Sequence, residues 1–225
     1  MNIENLFSFL AELKTNNNRE WFNARKENYL ALKIDFERFS QNLITEIGKF
    51  DTGIVGLQPK DCIFRIYRDT RFAYDKTPYK THFGAFFAAK GGRKSEHGGY
   101  YLHLDPDGAF LSVGAWMPNP KLLKLLKMSV FENIDEWREI VADAKFKQTF
   151  NDGWYEDDML KTIPREFSKD FADAYFLKLK HYLVSKSFTI KELQSPDFMN
   201  IIVASARIGY PLNKFLNFTV DEAGF

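Results

Sequence analysis

The chain holds a single cysteine, Cys62, among its 225 residues, so no internal disulfide and no cysteine-built zinc site can form. One thiol fits a reducing compartment, and a cytoplasmic location is the expectation. Long apolar runs are missing: no stretch reaches the roughly 18 residues that a membrane helix needs, so no membrane contact is expected. The opening MNIENLFSFLAEL has no basic leader and no small-residue cleavage site, and does not read as a signal peptide. Net charge is almost absent, with 31 Lys and Arg against 30 Asp and Glu, which excludes a globally basic nucleic-acid coat or an acidic tail protein. Repeats and low-complexity linkers are also lacking. What remains is an ordinary globular balance, 45% hydrophobic and 27% charged. Aromatic residues make up 16%, 23 of them Phe, which points to a core built largely of rings. A stacking platform for bases or sugars would need those rings exposed in one groove.

Hydrophobic periodicity divides the chain into three zones. Leu6, Phe9, Leu10 and Leu13 predict a helix with one buried stripe. Residues 14–18 break it, and a longer helix is predicted through Phe22, Tyr29, Leu32, Phe36, Phe39, Leu43 and Ile47, with Gly48 as its C-cap. Residues 51–60 read as loop. From 62 to 117 the period changes to two. Cys62–Arg68 and residues 82–89 alternate as strands, and Tyr100–Leu104, Asp105-Pro106-Asp107-Gly108 and Ala109–Trp116 form a hairpin. In its predicted register Leu102 opposes Leu111, Tyr100 opposes Val113, His103 opposes Phe110 and Tyr101 opposes Ser112. One face is apolar; the other is mixed and carries Arg65, Tyr67, His82, Tyr101, His103 and Ser112.

The last zone reads as helical. A helix is predicted after Pro118-Asn119-Pro120, and another capped by Asp135 and holding Trp137. Asp152, Glu156, Asp157, Asp158, Glu166, Asp170 and Asp173 mark a solvated acidic connection. A helix opened by Ser195-Pro196-Asp197 should kink or stop near Gly209-Tyr210-Pro211. The expectation is one α+β domain over 1–225: helical over 1–50, a single antiparallel sheet of about four or five strands over 60–117, and mostly helical over 118–218.

The clearest asymmetry is local. Residues 62–94 hold eight cations and two anions, a surplus of six, leaving 23 cations against 28 anions elsewhere. The centre reads RIYRDTRFAYDKTPYKTHF. Arg65, Arg68 and Arg71 carry planar forks suited to a phosphate or carboxylate; Lys76 and Lys80 add point charges, and Tyr67 and Tyr79 add hydroxyls. Asp69 and Asp75 would neutralise two of the cations, and His103 sits on the neighbouring face. Arg65 and Arg68 have opposite strand parity, so they converge only if the chain bends near Tyr67–Asp69.

RIYRDTRF followed by DKTPYKTHF resembles the signature of an uncharacterised bacterial family, domain of unknown function 2461. NNNREWFNARKENY at 16–29, GYYLHLDPDGAFLSVGAW at 99–116 and PLNKFLNF at 211–218 are similar to other parts of that family. The resemblance spans nearly the whole chain and implies no activity, substrate or catalytic residue.

Other chemistry finds little purchase. His82, His97 and His103 with Asp105 or Asp107 are of metal-ligand type, but a loop histidine and a sheet-face histidine are the commoner explanation, and no metal or other cofactor is expected. The Gly91-Gly92 to Gly98-Gly99 loop lacks the P-loop context and reads instead as a flap over the mixed face. Cys62 falls on the apolar face, no Gly-x-Ser-x-Gly elbow exists, and cations around Asp69 and Asp75 would keep both ionised. His103 beside Tyr101 is the one candidate acid or base, so whether a reaction occurs is left open.

Three functional readings follow. The first is a pocket for a small phosphate- or carboxylate-bearing ligand, formed by 65–82 and the mixed face. The second is a non-catalytic interaction protein in which 65–83 is an internal salt-bridge network or docks an acidic partner. The third is a nucleic-acid binder, which the near-neutral total charge disfavours. Oligomeric state is not readable.

Overall fold

The computed structural model describes every residue except Asp152, so that member of the acidic connection lies outside the described residues. Helix α1 (Ile3–Thr15) buries Leu6, Phe9, Leu10 and Leu13, and Asn2 Oδ1 caps it by accepting the Asn5 N–H at 3.0 Å. The single long helix expected next is two. α2 (Arg19–Ala24), capped by Asn18, ends at Arg25, and α3 (Lys26–Gly48) carries the remaining stripe. The break lets Phe22 stack on Tyr79 with centroids 3.9 Å apart, while Tyr29 and Phe36 pack against Phe83. Gly48 is the last helical residue rather than a left-handed cap; Lys49 follows with φ −67°.

Cys62–Arg68 is not a ladder strand, contrary to the alternation. Pro59 opens a helical turn, α4 (Pro59–Cys62), which takes up Cys62. Beyond it only isolated bridges form, Ile63 with Ala85 and Tyr67 with Tyr79. Opposite Arg68 stands Pro78, which accepts the Arg68 N–H but has none to return, so pairing cannot extend there.

The sheet is antiparallel, in the order β1 (Phe83–Phe87), β2 (Gly99–Leu104), β3 (Phe110–Ala115), β4 (Tyr182–Ser187). The β2–β3 hairpin has the register read from the sequence. β4 comes from the zone read as helical; it sets Val184 opposite Val113 and Ser185 opposite Ser112, whose hydroxyl oxygens lie 2.7 Å apart. Gly114 makes this pairing possible. Its φ is +128°, and a Cβ there would lie 1.9 Å from the Tyr182 carbonyl oxygen.

Helix α5 (Pro120–Glu132) starts at Asn119, and α6 (Ile134–Ala142) follows Asn133, so Asp135 lies in the first turn rather than at the cap. After α7 (Ala144–Thr149), the connection through 173 forms no helix or strand among the described residues. It is not wholly solvated: Asp173 is mostly buried and bound by Arg138 at 2.6 Å. α8 (Ala174–Lys178) leads into β4, and α9 (Ile190–Leu193) follows it. α10 (Phe198–Glu222) follows Asp197, which makes no side-chain capping bond, and runs through Pro211 instead of stopping. Its buried face continues past the proline in Leu212, Phe215, Leu216 and Val220, and that burial outweighs the roughly 3 kcal/mol cost of an interior proline. α10 crosses β3 closely, and a Cβ on Gly209 would come within 2.8 Å of Val113. One hydrophobic cluster takes in α1, α3, the sheet, α5 and α10, giving an α+β fold with the sheet between terminal helices.

Candidate functional site: a cationic cleft beside the sheet edge

The segment after α4 hugs β1 without joining the sheet. The Phe64 N–H donates to the Gly84 carbonyl at 2.9 Å, and the chain then closes on itself through Lys80 N–H to the Ile66 carbonyl at 2.7 Å. This forms an irregular hairpin whose tip is residues 68–77.

The tip neutralises its own charge. Arg68 Nη1 binds Asp75 Oδ2 at 2.5 Å and also the Thr77 hydroxyl. Arg71 holds Asp69 through two bonds, of 3.0 and 2.7 Å. Lys76 Nζ donates to the Thr70 carbonyl at 2.9 Å. The Arg71 fork draws the Asp69 carboxyl down to about 2. The Asp75 carboxyl falls to about 2 as well, through the Thr77 N–H first and then Arg68. Tyr79 is buried on Phe22, and its N–H and carbonyl are held by the Asn17 side chain. Arg68, Arg71, Lys76 and Tyr79 therefore do not converge with Arg65 on a common hollow.

A different set does converge. A cleft of about 630 Å³ lies between α3, the 60–67 segment and residues 80–94. Six cations line it (Lys33, Lys60, Arg65, Lys80, Arg93 and Lys94) against one carboxylate, Glu37. Its floor is apolar, with Phe36, Ile66 and Phe83 buried, and Tyr67 stands at its wall. Lys33 is paired with Glu37 at 3.3 Å. Arg93 Nη1 donates to the carbonyls of Lys60 at 2.5 Å and Ile63 at 2.9 Å, so it pins the wall of the cleft. Arg65 is exposed and has no hydrogen bond or ion pair among the described residues. Lys80 rides over the Phe64 ring at 5.2 Å, and burial together with Arg65 lowers its pKa. Arg65, Tyr67 and Lys80 of the predicted set thus reach the cleft. The sequence missed Lys33 and Lys60; the i, i+4 spacing of Lys33 with Tyr29 and Glu37 was the available signal.

The 90–99 loop is tethered rather than a flap. Lys90 and His97 Nε2 both bind Asp221 of α10, at 2.5 and 3.2 Å. Gly98 exchanges two hydrogen bonds with the Asn217 side chain. Cys62 is fully buried and its thiol is pushed up to about 12, mainly by desolvation, which removes it as a nucleophile.

His82, which lines the cleft, meets His103 with ring centroids 4.3 Å apart. His103 itself is not on the cleft wall; it stacks on Phe110 and lies 2.9 Å from the Tyr101 hydroxyl through Nδ1. Burial holds both histidines below the usual range, His82 down to about 4. Asp105 completes the group, with one donor atom from each of the three residues within 4.8 Å of the others.

No curated protein and no solved structure matches the chain. The sequence model of a conserved hypothetical protein family (DUF2461) matches residues 5–215, which covers the hairpin, the cleft and most of α10, and the chain belongs to that family.

Proposed function

We propose that the cleft binds a small ligand bearing phosphate or carboxylate. The observation that carries this reading is the imbalance of six cations against one carboxylate around a single hollow, with Arg65 uncommitted. Like charges gathered over an apolar floor repel one another, and an anion relieves that repulsion while accepting charge-assisted hydrogen bonds. A 630 Å³ space accommodates a small organic phosphate or polycarboxylate. The lone buried thiol suits a reducing compartment, which supports a cytoplasmic location.

Thermal melting in phosphate, citrate and nucleotide tests the reading. At least one of these raises the melting temperature, and Arg65→Ala weakens that ligand by roughly 10- to 100-fold, the value of one charge-assisted contact. Lys80→Ala acts in the same direction, and Arg71→Ala leaves binding intact. Failure of every anion to shift the melt, or equal losses from Arg71→Ala and Arg65→Ala, refutes it. For residues 68–77 the self-contained pairs Arg68–Asp75 and Arg71–Asp69 favour the second reading, an internal ionic network that shapes a loop.

A further inference from the structure

We propose that His82, His103 and Asp105 form a site for a divalent transition metal, with Zn²⁺ as the matching ion. Two imidazoles and one carboxylate are a three-ligand set of the kind that holds zinc and leaves a further position for water or substrate. Nitrogen donors with a single carboxylate do not suit Mg²⁺ or Ca²⁺, which take oxygen shells.

Each ligand is aimed by a separate local device. Pairing of His103 with Gly84 in the β1–β2 ladder brings His82, just before β1, alongside His103. Phe110, its partner in β3, stacks on the His103 ring at 4.7 Å and fixes its plane. Tyr101 Oη lies 2.9 Å from His103 Nδ1; with Nδ1–H donating to that oxygen, Nε2 keeps its lone pair for a metal. Asp105 Oδ1 is engaged by the Asp107 N–H at 2.9 Å, which leaves Oδ2 facing His103 Nε2 at 4.0 Å.

A purely structural trio would close into hydrogen bonds. This one does not: 4.0 Å is too long, and His82 makes no hydrogen bond among the described residues. An ion bonded at about 2.0–2.2 Å draws its ligands to roughly 3–3.5 Å of one another, so the three donor atoms, now within 4.8 Å, close in on binding, and the His82 and His103 rings, 33° from parallel, turn to aim their lone pairs at it. All three groups are partly buried, dry enough to strengthen the bonds and open enough for entry. His82 also lines the cleft, so the metal adjoins the space assigned to the anion, although the site does not depend on that assignment.

The test is calorimetric titration of the chelator-stripped full chain with Zn²⁺ in phosphate-free buffer, alongside visible spectroscopy with Co²⁺. One Zn²⁺ per chain should bind at micromolar strength or tighter, and Co²⁺ should develop the intense ligand-field bands of a low-coordinate site. Tyr101→Phe should weaken Zn²⁺ roughly 10- to 100-fold, and His82→Ala, His103→Ala or Asp105→Asn at least as much. Asp107→Asn on the same turn and Arg65→Ala in the cleft should leave Zn²⁺ affinity unchanged. Loss of zinc binding in Arg65→Ala counts against the site, whereas loss of anion binding alone in that variant leaves the metal site standing. The Co²⁺ spectrum of the unaltered chain decides the matter where a variant fails to fold. Absence of saturable Zn²⁺ binding, absence of the Co²⁺ bands, or Zn²⁺ binding that survives all three ligand substitutions overturns the proposal.

Discussion

Lys127 is 3% exposed on the inner face of α5, and its Nζ donates to the Leu177 carbonyl of α8 at 2.5 Å. Desolvation dominates its environment and lowers its pKa from 10.5 to about 8; Glu166 opposes the shift and Lys180 adds to it. Between pH 8 and 10.5 the unfolded chain therefore holds a proton that the folded chain has released, and folding gains stability as pH rises through that window. At about 1.4 kcal/mol per tenfold change in proton affinity, the buried charge costs on the order of 3 kcal/mol at neutral pH, and nothing once both states are deprotonated. Lys127→Met keeps the stem and removes the ammonium, leaving the Leu177 carbonyl unpaired at a cost of about 1–3 kcal/mol, so the two effects partly cancel at pH 7. The pH dependence separates them. Guanidinium denaturation of both proteins from pH 7 to 10 should show the stability of Lys127→Met relative to the parent falling by about 2–3 kcal/mol. A difference that stays flat, or moves the other way, refutes the claim that desolvation sets the state of this lysine.

Other outcomes follow from the packing and the loop. Arg71→Ala, at a mostly exposed and solvent-screened pair, should leave the chemical-denaturation midpoint essentially where it is in the parent; a clear drop would show that this pair holds more than its own loop. Gly209→Ala pits a helix-propensity gain of about 1 kcal/mol against an overpacking cost of about 1–3 kcal/mol where its Cβ meets Val113; a net loss is expected, and a stabilised variant would show that α10 can lift from β3. Gly114→Ala, clashing with backbone at a positive φ, should abolish cooperative folding by calorimetry. Cys62 should resist thiol reagents until denaturant is added, because it is both buried and protonated; rapid labelling of the native chain would contradict that placement.

Legibility in the sequence tracked how local each interaction is. The α1 stripe and the β2–β3 register depend on neighbours along one helix or across one turn, and both appear as read. β4 hides because Tyr182–Ser187 gains its strand character from β3, about seventy residues away. The Cys62–Arg68 alternation misled because Pro59 and Pro78 act on its two ends, and period two says nothing about which partners can donate. For the site, the charge surplus was visible but its division was not. Asp69 and Asp75 capture the arginines two and seven residues away, a choice made by loop geometry, while Lys33 and Lys60 join the cleft from α3 and α4. His82 and His103 are 21 residues apart, and only the β1–β2 ladder makes them neighbours.

The tethers between the 90–99 loop and α10 give the far end of the chain a hand in shaping the cleft. Asp221 and Asn217 anchor Lys90, His97 and Gly98, and the same loop presents Arg93, whose guanidinium clasps the carbonyls of Lys60 and Ile63. Shortening α10 by its final turns would therefore unmoor a wall more than a hundred residues earlier, without touching a single group that faces the hollow.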